Sequence, residues 1–370
     1  MIKDIQNLTI GVEEEYQLVD PKTRELTSYV TEILDEGSLV SENDVKPELL
    51  QSQIEIGSNV CQNIQELEKD LSRLRLLIKK YANKKKLDFI AAGTHPFSHW
   101  KNQIVTDKTR YHGFMDSTQY VGKRMLIFGM HVHIGIKNKE LRMDVMNQMR
   151  YFIPHIMALS SSSPFWQGEK TGFKSFRSII FEDLPRTGVP EIFNSYQEYH
   201  RYVKTLMKSG SIDDPTKIWW DIRPHPNYPT LEFRMCDCCT SLNDAISISA
   251  LIQALVAKVI TLRKSNQQWR SYRGSLIHEN KWRAAQKGVT SALIDFGLEK
   301  EVAFKTLVSE MLEFIDDVVD DLGTRKYIEN IQEISKQGSS ADKQLKIFEK
   351  RKKIEDVVDF LINETTKYCF

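Results

Sequence analysis

The sequence predicts an α+β fold in which a sheet is followed by a layer of helices. Segments with the two-residue alternation of strands are spread over the first part of the chain, whereas the last third has mainly helical spacing. A length of 370 residues is compatible with one domain, because sheet and barrel folds can use this much chain in a single unit. We expect one domain over residues 1–370, with a sheet core at about 8–290 and a helical layer at about 290–370.

The first part of the chain is predicted to contain three strands and one long helix. Residues 8–19 alternate as a strand does, and 48–57 predict a second strand, although the beginning of that segment is also compatible with a helix. Residues 64–85 have apolar side chains at helical spacing and a basic end. This helix leads into a strand at 87–93, which ends at the turn formed by 94–96.

The middle of the chain is predicted to contain two further strands, two helices and a long loop. Strands are expected at 124–136 and 231–236, and helices at 139–160 and 243–264. Residues 166–190 are rich in Gly, Ser and Pro, with aromatic residues between them. Compact domains usually keep such a long irregular stretch only for function, so we expect an active-site loop that closes as a lid.

The rest of the chain is predicted to be helical. Breaks are expected near Gly288, Gly297, Gly323 and Gly338. The segment 336–344 has the composition of a linker, and we interpret it as a loop between helices rather than a domain boundary.

The bulk properties describe an ordinary globular protein. A hydrophobic fraction of 41% and a formal charge of +1 give no indication of nucleic acid or membrane as a partner. The first residues show no apolar stretch followed by a cleavage site, and no uncharged run approaches the ~20 residues that span a bilayer. Cys236, Cys238 and Cys239 are too close together to form a disulfide framework. We therefore expect a cytoplasmic protein.

Polar side chains in four predicted strands are the main chemical signal. Side chains at positions i and i+2 of a strand point to the same face, about 7 Å apart. A single carboxylate in a strand is usually a solvated edge residue, but several acids on one face repel each other unless cations lie between them. The residues concerned are Glu13 and Glu15, Glu55, His131 and His133, and Glu232 and Arg234.

This donor set predicts a site for a hard cation. Carboxylates with one or two imidazoles suit Mg²⁺, with Mn²⁺ as the alternative, whereas Zn²⁺ prefers thiolate or more histidine. The cysteines in the CDCC segment at 236–239 could be a soft-metal site, but no second cluster with C-x-x-C spacing exists. We interpret these cysteines as buried small hydrophobic residues.

Further candidates each have a structural alternative. Arg177, in the predicted loop, could bind a carboxylate or phosphate in bidentate fashion, or pair with a neighbouring Glu182 or Asp183. His95 could face a substrate or satisfy the backbone of its turn. Trp219 and Trp220 could stack on an adenine or, like many paired tryptophans, anchor the core or an interface. The sequence contains no Walker-type or Rossmann-type glycine loop.

Several spaced motifs resemble those of a known family, the glutamate–cysteine ligase type 2 or carboxylate–amine ligase family. They cover residues from about 8 to 290 and occur in the order seen in that family, which is more specific than any one of them. The motifs are GVEEEYQLVD, QSQIEIGS, AAGTHPFSHW, GMHVHIGI, SFRSIIFEDLPRTGVP, LEFRMCD and ENKWRAAQKG.

The resemblance implies an antiparallel sheet curved into a funnel, as in glutamine synthetase and guanido kinases, with helices outside and ATP and Mg²⁺ at one end. It implies that Arg234 meets the transferring phosphoryl group, and it leaves open whether His131 binds metal directly. Arg177 in the predicted loop and His95 in the strand-end turn are the further candidates for catalysis. The implied metal ligands are Glu13, Glu15, Glu55, His133 and Glu232, and the implied nucleotide contacts are Arg234, Glu279, Asn280 and Arg283.

Glu279 and Arg283 also have an ordinary interpretation, because residues one helical turn apart often form a surface ion pair.

The implied activity is ATP-dependent carboxylate–amine ligation by the single catalytic domain. A glutamate-like acid would be activated as an acyl phosphate and attacked by an amine such as that of cysteine, with release of ADP and phosphate. Size and resemblance also imply a homodimer that acts on small amino-acid substrates. Two alternatives stay open: a guanido kinase-like phosphotransferase, and a nucleotide or amino-acid sensor without catalysis.

Overall fold

The structure is a computed structural model that describes residues 8–29 and 45–370. Part of the N-terminal segment used to predict a cytoplasmic protein lies outside these residues. Within them, the strands in chain order are β1 (Ile10–Val19), β2 (Val45–Pro47), β3 (Gln53–Gly57), β4 (Asp88–Ile90), β5 (Gly129–Gly135), β6 (Phe165–Trp166), β7 (Glu169–Lys170), β8 (Thr187–Gly188), β9 (Trp219–Trp220), β10 (Ile222–Pro224), β11 (Thr230–Asp237), β12 (Ala292–Asp295) and β13 (Lys300–Ala303).

The largest sheet of the described chain has seven antiparallel strands. Its order is β10-β11-β5-β1-β3-β2, and β4 pairs with the end of β1. The long strand β1 is therefore central, with β3 and β5 on its two sides. This arrangement brings the strands that carry the predicted polar pairs next to one another.

Helices cover one face of this sheet. The apolar face of β1 packs against the first long helix, and β5 packs against the central helix of the core. The helices of the described residues are α1 (Ile64–Lys84), α2 (Thr109–Thr118), α3 (Tyr120–Lys123), α4 (Lys139–Met149), α5 (Ile153–Ser160), α6 (Phe176–Phe181), α7 (Tyr196–Lys208), α8 (Leu242–Lys264), α9 (Gly274–Lys287), α10 (Phe304–Val319), α11 (Arg325–Gln337), α12 (Ser340–Arg351) and α13 (Glu355–Thr365).

The alternation in β1 separates an apolar face from a polar one. Ile10, Val12 and Tyr16 are buried in the main core. Glu14 points to the same side and is also buried, where its carboxylate pairs with the guanidinium of Arg75 from α1. Glu13 and Glu15 point to the opposite, open face of the sheet. The period-two pattern thus decides which acids reach solvent.

The apolar helix α8 forms the centre of the core. In length and composition it is the one described helix that could cross a membrane, but 83% of its most apolar window is buried inside the protein. It contacts α1, α4, α5, α10 and α11, as the core helix of a soluble protein does. The helix predicted at 243–264 begins one residue after the observed N-terminus of α8 and ends at the same residue.

The prediction of an irregular loop at 166–190 is wrong in part. Residues 166–190 contain the ribbon β6-β7, the short helix α6 and the strand β8. Its Gly residues provide tight turns, because Gly168, Gly172 and Gly188 have positive φ. Helix α6 follows such a turn and buries Arg177 and Ile180. The segment is therefore a folded wall of the open face.

Other elements differ from the sequence prediction. Helices α2 and α7 were not predicted, and the hairpin β12-β13 interrupts the predicted helical layer. The predicted strand at 48–57 is shorter, because a turn separates β2 from β3. Within the segment 336–344, a connection between helices is present as expected, but it consists of residues 338–339 alone, and the other residues belong to α11 and α12. Gly338 at this connection has a φ of 101°, which requires glycine.

Candidate active site

A cavity of about 620 Å³ lies on the open face of the sheet. Side chains from β1, β3, β5, β10 and β11 form its floor, and α6 forms part of its wall. His133 on β5 and Glu232 on β11 are almost fully buried beneath the cavity. The predicted residues among those that line the cavity are Glu13, Glu15, Glu55, His131, Arg177 and Arg234.

Three predicted metal ligands converge at one point. Potential ligand atoms of Glu13, His133 and Glu232 all lie within 4.8 Å of one another. The sheet register explains this convergence, because Glu232 lies opposite His133 on the neighbouring strand. His131 lies beside them, with its Nδ1 atom 3.2 Å from Oε2 of Glu13 and 3.9 Å from Oε1 of Glu232.

The group has the chemistry of a divalent cation site. His133 directs Nδ1 toward the Thr230 hydroxyl at 3.1 Å, which orients the ring. The buried Nε2 atom of His133 has no hydrogen-bond partner among the described residues and lies 3.7 Å from Oε2 of Glu13. Two carboxylates and one imidazole fit Mg²⁺ or Mn²⁺.

Glu232 is held as a carboxylate by two arginines. Burial would raise its pKa, but the guanidinium groups of Arg234 and Arg223 outweigh this effect and hold the pKa far below its ordinary value. Arg223 Nε donates to Oε2 of Glu232 at 2.7 Å, and Nη2 donates to Oε1 at 3.2 Å. Arg223 is itself fixed by bonds to the carbonyls of Thr216 and Ile218. This arginine was missed in the sequence.

A second group of acids lies farther along β1. Glu15 and Glu55 are directly opposite in the β1-β3 pair. Burial and the nearby Glu48 carboxylate raise the pKa of Glu15 to about 7. Burial, followed by the charge of Glu13, raises the pKa of Glu55 well above its ordinary value. Carboxylates placed in this way are stabilised by a cation, and Glu48 is a further acid that the sequence did not single out.

Arg234 is placed by an irregularity in β11. The pairing of β11 with β5 shifts register next to this residue, and the Arg234 amide donates to the carbonyl of Asp221 at 2.7 Å. One terminal nitrogen of the guanidinium contacts the carboxylate of Glu232 and lies 3.4 Å from Nδ1 of His131. The Nε atom has no hydrogen-bond partner among the described residues. The guanidinium is thus anchored beside the cavity that Arg234 lines.

Burial and the positive charge of Arg234 lower the pKa of His131 to about 4. Its imidazole is therefore neutral at pH 7.

Arg177 does not form the ion pair that was its structural alternative. Glu182 pairs with Lys281 and Asp183 pairs with Arg124, each at 2.7 Å. The guanidinium of Arg177 instead packs against Gly129, where any larger side chain would collide with it.

The backbone of Arg177 is held by a buried hydrogen-bond chain. Its amide donates to the Ser163 hydroxyl at 3.0 Å, and that hydroxyl donates to the Asp237 carboxylate at 2.7 Å. Nε of Arg177 has no hydrogen-bond partner among the described residues, although the side chain is buried. Arg177 therefore presents a fixed cation to the cavity.

The predicted nucleotide contacts on α9 lie elsewhere. Arg283 pairs with Glu279 at 2.8 Å and with Glu301 at 2.7 Å, so the ordinary surface-pair interpretation applies. Asn280 is buried and exchanges two hydrogen bonds with the backbone of Ile294, which ties α9 to the β12-β13 hairpin. None of the three residues predicted on α9 lines the cavity. Their assignment to nucleotide binding is not supported by this geometry.

A buried charged residue of the same motif is Lys281. Its ammonium group contacts both carboxylate oxygens of Asp221, at 2.7 and 2.6 Å, and Glu182 at 2.7 Å. Asp221 accepts the Arg234 amide through its carbonyl, and Glu182 caps the helix that carries Arg177. Lys281 therefore connects α9 to both arginines of the cavity. The helical period of the motif would have indicated which of its residues faces inward.

His95 serves the backbone of its own turn. Its Nδ1 accepts hydrogen bonds from the amides of Phe97 and Ser98, at 3.2 and 2.9 Å, and its Nε2 lies 2.9 Å from the carbonyl of Arg24. Burial lowers the pKa of His95 to about 3. The residue does not line the cavity. This geometry favours the structural alternative over the catalytic assignment.

We expect His95 to make the protein less stable as the pH falls from about 6.5 toward 3. Burial lowers the pKa of His95 from 6.5 to about 3, so the unfolded state binds more protons in this window and stability rises with pH. Unfolding in denaturant across this window checks the expectation. The stability gap between wild type and His95→Gln should narrow as the pH falls, and a gap that is independent of pH would contradict it.

The two neighbouring tryptophans have different surroundings. Trp220 is buried and packs with Phe193 and Tyr202, as an anchor of the core does. Trp219 lines the cavity, where it packs edge-on against Phe114.

The cysteines at 236, 238 and 239 are buried and form no disulfide, as predicted for small hydrophobic residues.

Comparison with known proteins identifies the family of this chain. Residues 9–360 match the profile of glutamate–cysteine ligase family 2. A provisionally named glutamate–cysteine ligase 2 of Herpetosiphon aurantiacus is 50% identical over 357 residues, which are 96% of this chain and 93% of the relative. A protein with the same name from Chloroflexus aggregans is 49% identical and covers 96% of this chain and 92% of its own length.

Solved structures share the fold. A glutamate–cysteine ligase from Francisella tularensis, crystallised with AMP, has a TM-score of 0.70 at 12% identity and covers 98% of this chain and 89% of its own. A bifunctional glutathione synthetase from Pasteurella multocida also has a TM-score of 0.70, at 13% identity, covering 99% of this chain and 53% of its own. The profile match and the close relatives show that this chain belongs to glutamate–cysteine ligase family 2.

Proposed function

We propose that this protein is an ATP-dependent carboxylate–amine ligase. It would activate a carboxylate of glutamate, or of a similar acid, as an acyl phosphate and join it to an amine such as that of cysteine. Mg²⁺ or Mn²⁺ would be held by Glu13, His133 and Glu232, with Glu15 and Glu55 as further carboxylate ligands. ADP and phosphate would be released.

The observation that carries this proposal is the charge arrangement in the cavity. A convergent group of carboxylates and imidazoles lies on one face of the sheet, and the guanidinium groups of Arg234 and Arg177 lie at the edge of the same cavity. A transferring phosphoryl group needs negative ligands for its cations and positive donors for its own oxygens. The cavity offers both.

The protein's own groups have separable tasks in this scheme. Arg234 is fixed through Glu232, and its guanidinium would meet the phosphoryl oxygens. Arg177 would bind a carboxylate or phosphate oxygen next to Arg234, because its Nη2 atom lies 3.4 Å from the Arg234 carbonyl. Arg223 also lines the cavity, and we treat it as a positioning residue because its Nε and Nη2 atoms both donate to the Glu232 carboxylate. Bound divalent cations would neutralise the repulsion between the carboxylate nucleophile and the phosphates.

The comparisons support this reading at the level of the family. The relatives carry the glutamate–cysteine ligase name, and the Francisella tularensis enzyme was crystallised with AMP. These names favour glutamate and cysteine as substrates and an adenine nucleotide as the phosphoryl donor. The funnel-shaped curvature, the homodimer and the cytoplasmic location stay predictions.

Product analysis tests the proposal. Phosphate release from Mg²⁺–ATP is measured with a panel of amino acids, singly and in pairs, and the products are identified by mass spectrometry. Release that requires both an acid and an amine, with a product of their condensed mass, is the expected result. A stable phosphorylated product without an amide would indicate a phosphotransferase. Nucleotide binding without turnover across the panel would indicate a sensor.

Glu15→Gln should weaken the binding of Mg²⁺–ATP by about tenfold or more, because an outer carboxylate of a cation site contributes about that much to affinity. Its pKa of about 7 means that the neutral side chain is already tolerated in the fold. The KM for Mg²⁺–ATP is the measurement. The matched control is Glu279→Gln on the surface of α9. Equal KM values in the two variants would remove Glu15 from the site.

A further inference from the structure

The two arginines of the cavity lie next to each other, and both depend on support from other elements. Nη2 of Arg177 donates to the carbonyl of Arg234 at 3.4 Å. Arg234 lies where the pairing of β11 with β5 shifts register, between Phe233 and Cys236. Arg177 lies on α6, which has six residues and no side-chain hydrogen bond at its N-cap. A helix this short is not stable without tertiary contacts, so the surroundings must hold both residues in place.

Helix α9 holds α6 at both of its ends. The carbonyl of Ala285 accepts the amides of the two residues that precede α6, at 2.7 and 3.0 Å. Lys281, one turn earlier on α9, contacts Glu182 at 2.7 Å, and Glu182 is the C-cap residue of α6. Residues four positions apart lie on the same face of a helix. One face of α9 therefore fixes the segment that carries Arg177.

The same ammonium group fixes the backbone that supports Arg234. Asp221, between β9 and β10, is 4% exposed, and Lys281 contacts both of its carboxylate oxygens at 2.7 and 2.6 Å. The backbone amide of Asp221 donates to the carbonyl of Gly188 on β8 at 2.8 Å, and its carbonyl accepts the amide of Arg234 at 2.7 Å. This last bond extends the pairing of β10 with β11 to the residue at which the pairing with β5 shifts.

The three charged groups form a junction behind the cavity, which we call the lysine junction: Lys281, Asp221 and Glu182. None of the three lines the cavity itself. Burial would lower the pKa of Lys281, but the carboxylates of Asp221 and Glu182 outweigh this effect and raise it above its ordinary value. Removal of the ammonium group would leave two neighbouring carboxylates without their shared cation, and they would repel each other.

We propose that Lys281 is a positioning residue for phosphoryl transfer. It holds the backbone of Arg234 in place through Asp221. Through Glu182 it holds the helix that carries Arg177. This role rests on the proposed function, because phosphoryl transfer is the step that needs both guanidinium groups at fixed places. The lysine itself does not touch the substrate, but a displacement of about 1 Å at a reacting group can cost about 100-fold in rate.

Single-turnover phosphate release tests this role in catalysis. Lys281→Met should slow phosphoryl transfer by about 100-fold. The KM for Mg²⁺–ATP should change by less than about threefold, because the carboxylates and His133 that would hold the cation stay in place. Lys281→Arg keeps the positive charge and should retain more of the rate than Lys281→Met. The matched control is Lys287→Met, at an exposed position of the same helix, which should leave both quantities unchanged.

A double-mutant cycle distinguishes positioning from a general loss of structure. If Lys281 acts partly through Arg234, one of its two routes is already absent in Arg234→Ala. Adding Lys281→Met to that variant should therefore cost at most about tenfold instead of about 100-fold. A loss of about 100-fold in both backgrounds would overturn the proposal, because independent structural effects multiply.

Hydrogen exchange followed by mass spectrometry tests the lysine junction without any turnover. Asp221→Asn should raise exchange in the peptide covering 230–237, and Glu182→Gln in the peptide covering 174–182, each by at least about threefold. Lys281→Met should raise exchange in both peptides. The first two variants still decide the matter if Lys281→Met does not fold. Exchange that is unchanged in them, or that rises evenly along the chain, would overturn the proposal.

The two measurements separate the role of Lys281 from the proposed function. A wild-type protein that shows no turnover, while its variants show the expected exchange pattern, would contradict the ligase and support the lysine junction as the element that fixes both arginines. Ligase turnover at the wild-type rate in Lys281→Met would overturn the positioning role and leave the ligase in place.

Discussion

Replacing Arg234 with alanine should slow phosphoryl transfer by about a thousandfold, because positioned cations on the transferring group supply much of the catalysis in such reactions. Nucleotide affinity should change little, because the carboxylates and His133 that would hold the cation remain in place. The fold should also survive. Glu232 keeps its paired hydrogen bonds from Arg223, so removing Arg234 does not leave the buried carboxylate without a partner.

Single-turnover phosphate release and nucleotide binding, measured separately, distinguish the two effects in Arg234→Ala. Arg283→Ala is the matched control. Arg283 belongs to another of the family motifs, and in the structure it forms ion pairs with Glu279 and Glu301 at the surface. It should retain nearly full activity. If Arg283→Ala loses as much activity as Arg234→Ala, the result would favour the prediction that the α9 residues contact the nucleotide.

The largest expected loss of stability comes from Arg75→Met. Arg75 and Glu14 form a buried pair at 2.5 Å, and both side chains are fully inaccessible. The guanidinium also donates to the carbonyls of Thr240, Cys239 and Thr365, so it connects β1 with the C-terminal part of the chain. Removing it leaves a buried carboxylate without its cation. We expect the free energy of unfolding to fall by about 3–5 kcal/mol.

Denaturant unfolding measures the effect of Arg75→Met. Arg73→Ala is the control on the same helix, because Arg73 forms an exposed pair with Asp70 at 2.8 Å and should contribute little. Adding Glu14→Gln to Arg75→Met should recover part of the loss, because the uncompensated charge is then removed. If Arg75→Met and Arg73→Ala cost the same, the buried pair would not be the link that this structure indicates.

The strand residues of the site could be predicted because the period of a strand is a local property. Alternation alone places Glu13 and Glu15 on one face and Glu14 on the other. The same rule relates His131 to His133 and groups them with the acids once the strands are adjacent. The strand order could not be obtained from local periodicity, yet it decides that His133 lies opposite Glu232.

The missed residues depend on pairing and tertiary contacts. Arg223 reaches Glu232 because a hairpin brings residues nine positions apart into register. Glu48 approaches Glu15 through the turn between β2 and β3. Glu279 and Arg283, which were predicted to contact the nucleotide, lie outside the cavity for a different reason. A helix has an inward and an outward face, and the motif was assigned without deciding that Asn280 and Lys281 face inward while Glu279 and Arg283 do not.

Transfer of oxygen from substrate to phosphate tests the central claim most directly. Glutamate, or the acid identified by product analysis, is labelled with ¹⁸O in its carboxylates and incubated with Mg²⁺–ATP and the amine. In the proposed reaction a carboxylate oxygen attacks the γ-phosphorus, and the amine then displaces phosphate from the acyl carbon. The released phosphate should therefore carry one ¹⁸O atom for each amide formed. Unlabelled phosphate accompanying amide formation would contradict the acyl phosphate mechanism.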